Sequence, residues 1–251
     1  MTAVAVIPAR YASTRLPGKP LLNRTGRYLI QHVCDRVSRA TRLSKVIVAT
    51  DDRRIFEAVE SFGGCAMMTR EDHNSGTDRV AEVAATMDVD IVVNVQGDEP
   101  EIEPANIDLL VDLLTRRSDC DMATLACPFP QEADPADPNA VKVVVDCTGC
   151  ALYFSRSPIP YPRDGKSLKD HRAEFLLHIG IYAYRRDFLL RLAGWPVGRL
   201  ERIERLEQLR VLERRSTIAV GLVDKAAVGI DTPADYEAFV QRIQTVTDVG
   251  V

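Results

Sequence analysis

The first long connection in the chain concentrates positive charge. It runs from Pro8 to about Arg27, far longer than the roughly two to six residues that usually join a strand to a helix. Its cationic residues, with no acidic residue among them, are Arg10, Arg15, Lys19, Arg24 and Arg27. Guanidinium forks and a lysine ammonium neutralise several phosphate oxygens at once. A solvated basic loop is the alternative, but such loops usually mix both signs of charge, so the pattern predicts a polyphosphate site.

The same loop lacks the two common glycine patterns of nucleotide sites. Neither G-x-x-x-x-G-K-[ST] nor G-x-G-x-x-G occurs in it. Gly18 and Gly26 still allow the backbone to come close to a ligand. We therefore expect side chains, more than a glycine nest, to hold the phosphates.

Two aspartates are candidate metal ligands. Asp98 directly follows an apolar strand that ends at Gln96. In a sheet of strand order 3-2-1-4, the first and fourth strands are neighbours, which places Asp98 beside the basic loop. Mg²⁺ takes one or two carboxylates together with phosphate oxygens, so Asp98 predicts a magnesium site. Asp231, at the start of the last helix, is the second candidate, with an ordinary helix cap as the alternative.

The elements that would carry these residues alternate between strands and helices. Apolar runs predict strands at Val4–Pro8, Lys45–Thr50 and Asp90–Gln96. Helical spacing of apolar residues lies between these strands, from Leu29 to Val37, from Ile55 to Phe62 and from Val80 to Ala84. A further helix is predicted from Pro104 to Arg117, and a strand at Met122–Cys127. This order predicts an α/β fold with a doubly wound, Rossmann-like and mostly parallel sheet.

After residue 127 the rhythm changes, which predicts a smaller mixed α/β lobe. Its predicted strands are Val141–Val145, Ala151–Ser155 and His178–Tyr184, and its predicted helices are Asp187–Ala193 and Ile203–Glu213. A strand at Ile218–Leu222 and a helix capped by Thr232, with Pro233 first, complete the chain. We predict one domain, with a core of residues 1–127 and 216–251 and a lobe of residues 128–215.

Composition narrows the class of protein. The 251 residues carry a net charge of −4, which argues against a nucleic-acid binder.

No apolar run approaches the roughly 20 residues of a membrane span, and the first residues do not resemble a signal peptide, so we expect no membrane insertion and a cytoplasmic protein. Cys147 and Cys150 form the only close cysteine pair, and no second pair or histidine is placed to complete a zinc site.

Several segments together resemble a known family. They are Ile7–Leu21 (IPARYASTRLPGKPL), Thr69–Arg79, Asn94–Pro100, Asn139–Val144, Leu152–Arg156, His178–Tyr184, Leu206–Arg210 and Gly229–Pro233. In this order they are similar to the motifs of sugar-acid cytidylyltransferases, in the version found in the enzymes for 3-deoxy-manno-octulosonate (KDO). The chain departs from that pattern at Arg27-Tyr28, where lysine and proline are usual, and over residues 164–173.

The resemblance implies a fold, an activity and a set of site residues. The fold is of the nucleotide-diphospho-sugar transferase type, and the activity is Mg²⁺-dependent transfer of CMP from CTP to the anomeric hydroxyl of KDO, with release of pyrophosphate, for lipopolysaccharide biosynthesis. A homodimer formed through the smaller lobe is also implied. The implied nucleotide-binding residues are Arg10, Arg15, Lys19, Ser75 and Gly76; the metal ligands are Asp98 and Asp231; the sugar-binding residues are Gln96, Arg79, Arg163, His178, Tyr182, Glu207 and Gln208. Arg10, Lys19, Asp98 and Asp231 are the implied catalytic residues.

Other interpretations of the same residues stay open. The acceptor is KDO or another sugar acid, such as amino-KDO or sialic acid, and a non-catalytic CTP-binding protein is the alternative from a different class. His178 and Tyr182 could simply pack on one face of a strand, and Glu207 could lie on the solvent face of a charged helix. For an enzyme, we expect in-line attack of the sugar hydroxyl on the α-phosphorus of CTP.

Overall fold

The chain folds into nine strands and eight α-helices over the residues that the structure describes. A computed structural model describes residues 1–12, 16–131, 133–164 and 167–248. The strands are β1 (Ala3–Ala9), β2 (Lys45–Thr50), β3 (Ala66–Met68), β4 (Ile91–Asn94), β5 (Met122–Pro128), β6 (Lys142–Val145), β7 (Ala151–Ser155), β8 (Leu176–Arg185) and β9 (Ile218–Leu222). The helices are α1 (Leu29–Val37), α2 (Arg53–Ser61), α3 (Gly76–Ala85), α4 (Pro104–Arg116), α5 (Arg186–Ala193), α6 (Arg199–Glu204), α7 (Leu209–Glu213) and α8 (Pro233–Asp248).

Two compact units divide the chain. The first unit comprises Thr2–Asp108 and Ala227–Val251, and the second comprises Met1 and Leu109–Ala226. The boundary falls within α4, and the predicted lobe of residues 128–215 lies inside the second unit. Every helix among the described residues is too short or too polar to cross a bilayer.

Parallel strands build the sheet of the first unit. Their order is β3-β2-β1-β4, with Val4 of β1 opposite Lys45 on one side and Val92 on the other. The apolar side chains of β1 and β4 are almost completely buried, as expected of parallel strands covered on both faces. The predicted α/β fold is therefore confirmed. The strand order is the 3-2-1-4 order that was assumed for the placement of Asp98, because the short β3 makes the strand before Asp98 the fourth.

An apolar cluster in the first unit joins segments that are distant in sequence. It consists of Leu16, Leu29, Ile230, Tyr236, Phe239 and Val240. These residues come from the connection after β1, from α1 and from the region of α8. Their packing fixes the basic loop beside the residues that precede α8, which is the position of Asp231.

The sheet of the second unit is mixed. β5 pairs in parallel with β9 and antiparallel with β8, while β6 pairs antiparallel with both β7 and β8. The predicted strands of this region are confirmed, with bounds that shift by up to two residues for β8.

One predicted helix is wrong. The segment Ile203–Glu213 forms no continuous helix, because α6 ends at Glu204 and Arg205 takes a left-handed conformation with φ 55°. The side chain of Arg156 explains this break: its Nε donates to the Glu204 carbonyl oxygen at 2.6 Å and its Nη2 to that of Arg205 at 3.3 Å. These carbonyls are thereby satisfied outside a helix, and Glu207 lies in the turn before α7.

Candidate active site

Lys19 is the centre of a charged cluster in the first unit. Its Nζ lies 2.7 Å from Asp98 Oδ2 and 3.3 Å from Asp231 Oδ1, and it also donates to the Ile230 carbonyl oxygen at 2.9 Å. Only 14% of the Lys19 side chain is exposed. The two aspartates predicted as metal ligands therefore converge on one cation in this structure.

The backbone around Lys19 explains how it reaches this position. Gly18 has φ 66° and precedes a single 3₁₀ turn, Lys19–Leu21. A Cβ at Gly18 would lie 3.2 Å from the ring of Tyr11, so glycine is required both for the left-handed conformation and for the close contact. The turn is held by the amide of Gly18, which donates to the Tyr11 carbonyl oxygen at 3.1 Å.

Asp98 is positioned by the loop after β4, whose backbone passes close to the end of β1. A Cβ at the preceding Gly97 would lie 3.0 Å from the carbonyl oxygen of Pro8, so this loop passes directly over the end of β1. The carbonyl oxygen of Asp98 accepts a 2.9 Å hydrogen bond from the amide of Ile230. The loop after β4 and the segment before α8 are thus tied together, and the carboxylates of Asp98 and Asp231 both lie within reach of Lys19.

Thr232, and not Asp231, caps the helix α8. Thr232 Oγ1 accepts from the Asp235 amide at 3.2 Å, and Asp235 Oδ2 accepts from the Thr232 amide at 2.8 Å. This reciprocal pair is a capping box, so Thr232 is the cap, as predicted. The carboxylate of Asp231 contacts Lys19.

The donor set of this cluster fits Mg²⁺. Two carboxylates that already converge on an ammonium supply the oxygen ligands and the negative charge that Mg²⁺ prefers. Burial raises the pKa of the neighbouring Glu99 to about 7, and the charge of Asp98 adds to the rise.

Arg10, Ser75 and Gly76 lie at the beginning of α3. Arg10 Nη2 donates to the carbonyl oxygens of His73 at 2.6 Å and Ser75 at 3.4 Å. Ser75 caps α3 through a capping box with Asp78. Three of the predicted nucleotide-binding residues therefore meet at a helix N-terminus, whose dipole favours anions.

Two other cations of the basic loop, Arg24 and Arg27, pair with carboxylates at the surface. Arg24 contacts Glu237, and Arg27 Nη1 lies 3.0 Å from Asp35 Oδ2. Both are exposed surface pairs, so their charge is neutralised locally. Arg15 lies outside the described residues.

Arg79 lies in the interior of the first unit, and its predicted sugar-binding role stays a prediction. Its side chain is fully buried, and its guanidinium contacts Asp51 through Nη2 and Thr69 through Nη1. Arg79 is one half of an interior ion pair that connects α3 to the end of β2.

Replacing Arg79 with methionine is therefore expected to destabilise the fold. Methionine fills a similar volume but leaves the Asp51 carboxylate, which is 18% exposed, without its main partner. Breaking a buried pair in this way costs about 3 kcal/mol. Urea unfolding followed by circular dichroism measures the change, and an unfolding free energy within about 0.5 kcal/mol of wild type would contradict the structural role.

The predicted sugar-binding residues of the second unit include an aromatic row on β8. His178 stacks edge-on against Phe154 with ring centroids 4.8 Å apart, and Tyr182 lies 5.6 Å from His178. Burial raises the pKa of Tyr182, with the nearby charge of Glu207 adding to the rise. The structure thus brings His178, Tyr182 and Glu207 together.

The remaining predicted sugar-binding residues are more scattered. Gln208 is 5% exposed and lies in the turn between α6 and α7. Arg163 is exposed in a loop of the second unit, and Gln96 is partly buried just after β4 in the first unit. Their participation in a sugar site stays a prediction.

Comparison with known proteins shows the family of this chain. A sequence profile described as cytidylyltransferase matches residues 4–218. The 3-deoxy-manno-octulosonate cytidylyltransferase of Geotalea uraniireducens is 51% identical over 250 residues, covering 97% of this chain and 100% of the relative. The enzyme of the same name from Syntrophotalea carbinolica is 49% identical over 239 residues, with 94% and 96% covered. This chain belongs to the 3-deoxy-manno-octulosonate cytidylyltransferase family. The family predicted from the motifs is confirmed.

A solved structure supports the same assignment. CMP:2-keto-3-deoxy-manno-octonic acid synthetase complexed with CTP superposes on this cytidylyltransferase with a TM-score of 0.91. The two chains are 45% identical, and the match covers 98% of this chain and 99% of the other. Fold and family therefore agree over nearly the whole length.

Thr124 is a buried polar residue of this cytidylyltransferase that the sequence analysis did not single out. Its Oγ1 lies 3.0 Å from His178 Nε2 and 2.8 Å from the carbonyl oxygen of Ile181. Because the hydroxyl hydrogen is directed to a carbonyl, the Nε2–H of His178 donates to Thr124. A hydroxyl within the otherwise apolar run Met122–Cys127 was the available signal.

His178 is expected to make the stability of this cytidylyltransferase sensitive to acid. Burial lowers the pKa of His178 from 6.5 to about 3, so the folded protein keeps the imidazole neutral. Stability from this group is fully present above about pH 6.5 and is lost as pH falls towards 3, because the unfolded chain binds the proton first. Over this window the unfolding free energy should fall by about 1.4 kcal/mol per pH unit from this group alone.

The His178→Gln variant isolates this effect because glutamine retains a donor for Thr124 without titrating. Urea unfolding from pH 6.5 to pH 4 should show a slope smaller by about one proton in the variant than in wild type. Equal slopes in the two proteins would show that His178 titrates normally in the folded state.

Proposed function

We propose that this cytidylyltransferase transfers CMP from CTP to KDO and releases pyrophosphate, which activates KDO for lipopolysaccharide biosynthesis. The observation that supports this most strongly is the convergence of Lys19, Asp98 and Asp231 at the end of β1. It occurs in a chain that is 49% to 51% identical to enzymes of this name. We also propose a homodimer in the cytoplasm, as the family resemblance implies.

Asp98 and Asp231 are the residues that would hold Mg²⁺. Bound there, Mg²⁺ would supply positive charge at the phosphate oxygens of CTP. Without a metal, Lys19 balances part of the charge of the two carboxylates. The same ammonium can donate to a phosphate oxygen, since a lysine offers three donors on a flexible stem.

Arg10 and the beginning of α3 would hold the other end of the phosphate chain. The Arg10 guanidinium keeps donors beyond the Nη2 that contacts His73 and Ser75, and the amide dipoles of α3 add positive potential. Together with Lys19 they would stabilise the charge that accumulates on the departing pyrophosphate.

In the reaction, the anomeric hydroxyl oxygen of KDO attacks the α-phosphorus of CTP. A new phosphorus–oxygen bond to the sugar forms as the bond breaks between the α-phosphorus and the oxygen that joins it to the β-phosphorus in CTP, and this oxygen leaves with pyrophosphate. The proton of the hydroxyl leaves to a base or to solvent, and the electron pair of the broken bond stays on pyrophosphate. Positioning of the two substrates and charge stabilisation account for most of the acceleration in this type of transfer.

The polar and aromatic residues of the second unit would recognise the sugar acid. His178 and Tyr182 present flat apolar surfaces with polar edges, and Gln208 and Glu207 add hydrogen-bonding groups close to α7. Arg163 offers a guanidinium for the sugar carboxylate. A sugar with several hydroxyls and one carboxylate matches this mixture of groups.

A competition among acceptors tests the proposal. Purified protein with CTP and Mg²⁺ receives equal amounts of KDO, amino-KDO and sialic acid, and the CMP-sugars are separated and identified by mass. CMP-KDO is expected to dominate by at least about tenfold, because a site built to bond particular hydroxyls rejects analogues that lack them. A different dominant product would overturn the acceptor, and no product with any acceptor would favour a CTP-binding protein without this activity.

A further inference from the structure

Two cysteines of the second unit meet although they are far apart in sequence. Cys120 lies in the turn before β5, and Cys150 directly precedes β7. Their Sγ atoms are 3.8 Å apart, and Asp119 Oδ2 lies 3.8 Å from Cys120 Sγ. The ligand atoms of Asp119, Cys120 and Cys150 all lie within 4.8 Å of one another.

These spacings match the coordination sphere of a tetrahedral thiolate metal. With zinc–sulfur bonds of about 2.3 Å, two sulfurs in a tetrahedral site are separated by about 3.8 Å. Zinc–oxygen bonds are shorter, so a sulfur and a carboxylate oxygen come slightly closer together, at about 3.5 Å. The observed separation of the two sulfurs, 3.8 Å, already equals the tetrahedral value, and the carboxylate oxygen, 3.8 Å from Cys120 Sγ, must move closer to surround one ion.

Side chains of neighbouring residues hold the backbone of each of the three residues in place. The carbonyl oxygen of Asp119 accepts from Thr217 Oγ1 at 2.7 Å, and that of Cys120 accepts from Arg185 Nε at 2.9 Å. The amide of Cys150 donates to Asp146 Oδ1 at 2.9 Å. Ligands fixed by such outer contacts bind a metal with less loss of conformational freedom.

The charge around the three donors also suits a divalent cation. Arg117 Nη2 donates to Asp119 Oδ2 at 2.8 Å and to Cys150 Sγ at 3.1 Å. Two thiolates and one carboxylate carry three negative charges, and a divalent ion together with Arg117 carries three positive charges. Hydrogen bonds from a guanidinium to a ligating sulfur and carboxylate are typical outer contacts of metal sites.

We propose that Asp119, Cys120 and Cys150 form a binding site for a thiophilic divalent metal of the zinc class, separate from the Lys19 cluster. Binding releases one proton from each thiol to solvent, and a water molecule takes the fourth position. Because each thiol loses a proton when it binds the metal, metal affinity is expected to increase with pH.

Titration of the full-length, metal-free, reduced protein with Co²⁺ tests this site. One equivalent should produce a sulfur-to-cobalt charge-transfer band and the visible bands of tetrahedral cobalt, and Zn²⁺ should abolish both. The carboxylates of Asp98 and Asp231 cannot produce a sulfur band, which separates the two sites. Absence of the band in the wild type would overturn the proposal.

Three variants make the test specific to these ligands. Cys150→Ser should lose the charge-transfer band, and Asp119→Asn, which changes an exposed side chain, should weaken Co²⁺ binding by about ten- to a hundredfold. Cys147→Ser is the matched control, since Cys147 lies in the same turn and is exposed, and it should bind as wild type. Unchanged Co²⁺ binding in Cys150→Ser would contradict the site. So would a disulfide between Cys120 and Cys150 that survives mild reduction, which a thiol count two below the expected number would reveal.

Discussion

Replacing Asp98 with asparagine is expected to reduce kcat for KDO-dependent pyrophosphate release by about 10²- to 10³-fold. The change keeps the shape of the side chain but removes one of the two carboxylates that converge at the end of β1. It weakens the proposed Mg²⁺ site and removes the negative charge of the closest partner of Lys19, whose carboxylate oxygen lies 2.7 Å from the ammonium. The measurement is steady-state pyrophosphate release over a range of Mg²⁺ concentrations, in which the variant should also require more Mg²⁺.

The matched control for Asp98→Asn is Asp187→Asn. Asp187 is 82% exposed and pairs only with the adjacent Arg186 among the contacts that the structure describes, so this variant should keep the rate within about twofold of wild type. If Asp98→Asn retained wild-type kcat and Mg²⁺ dependence, Asp98 would have no role in metal binding or in the transfer.

Replacing Lys19 with methionine should lower kcat/KM for CTP by about 10²- to 10³-fold. The ammonium is nearly buried between Asp98 and Asp231. Without it, no positive side chain remains at this position to bind the phosphates of CTP. Lys19→Arg should rescue little, because a planar guanidinium does not reproduce a compact charge that touches three oxygens within 3.3 Å. Initial rates at varied CTP, with KDO saturating, give kcat/KM directly.

Lys45→Met provides the comparison for Lys19→Met. Lys45 is exposed at the start of β2, so removal of its charge should leave kcat/KM nearly unchanged. A loss of the same size in both variants would point to general charge effects on CTP binding, and full activity of Lys19→Met would remove Lys19 from the phosphate site.

Much of the first unit could be predicted from periodicity because its strands and helices are marked by strong apolar patterns. β2 was predicted with the bounds that the structure shows, since a continuous buried run ends at a polar turn. β3 was missed because it is three residues long and only partly buried. The break between α6 and α7 was missed for a different reason: it depends on a tertiary contact from Arg156, which no local pattern contains.

The candidate site was predictable in part for the same physical reasons. Strand order places Asp98 beside the basic loop, because the ends of β1 and β4 are neighbours in a 3-2-1-4 sheet. The contact of Asp231 with Lys19 depends on the packing of α8 against α1, which spacing alone does not determine. Arg79 illustrates the converse, since a motif arginine is indistinguishable in sequence from one that pairs with a buried aspartate.

Direct observation of the phosphorus-containing products tests the central claim, which is transfer of CMP to KDO by this chain. Phosphorus NMR of a mixture of enzyme, CTP, KDO and Mg²⁺ should show pyrophosphate and one new phosphodiester signal appearing in equal amounts, and only when all four components are present. Hydrolysis of CTP to CMP without the phosphodiester signal, or no change in the spectrum at any enzyme concentration, would contradict the claim.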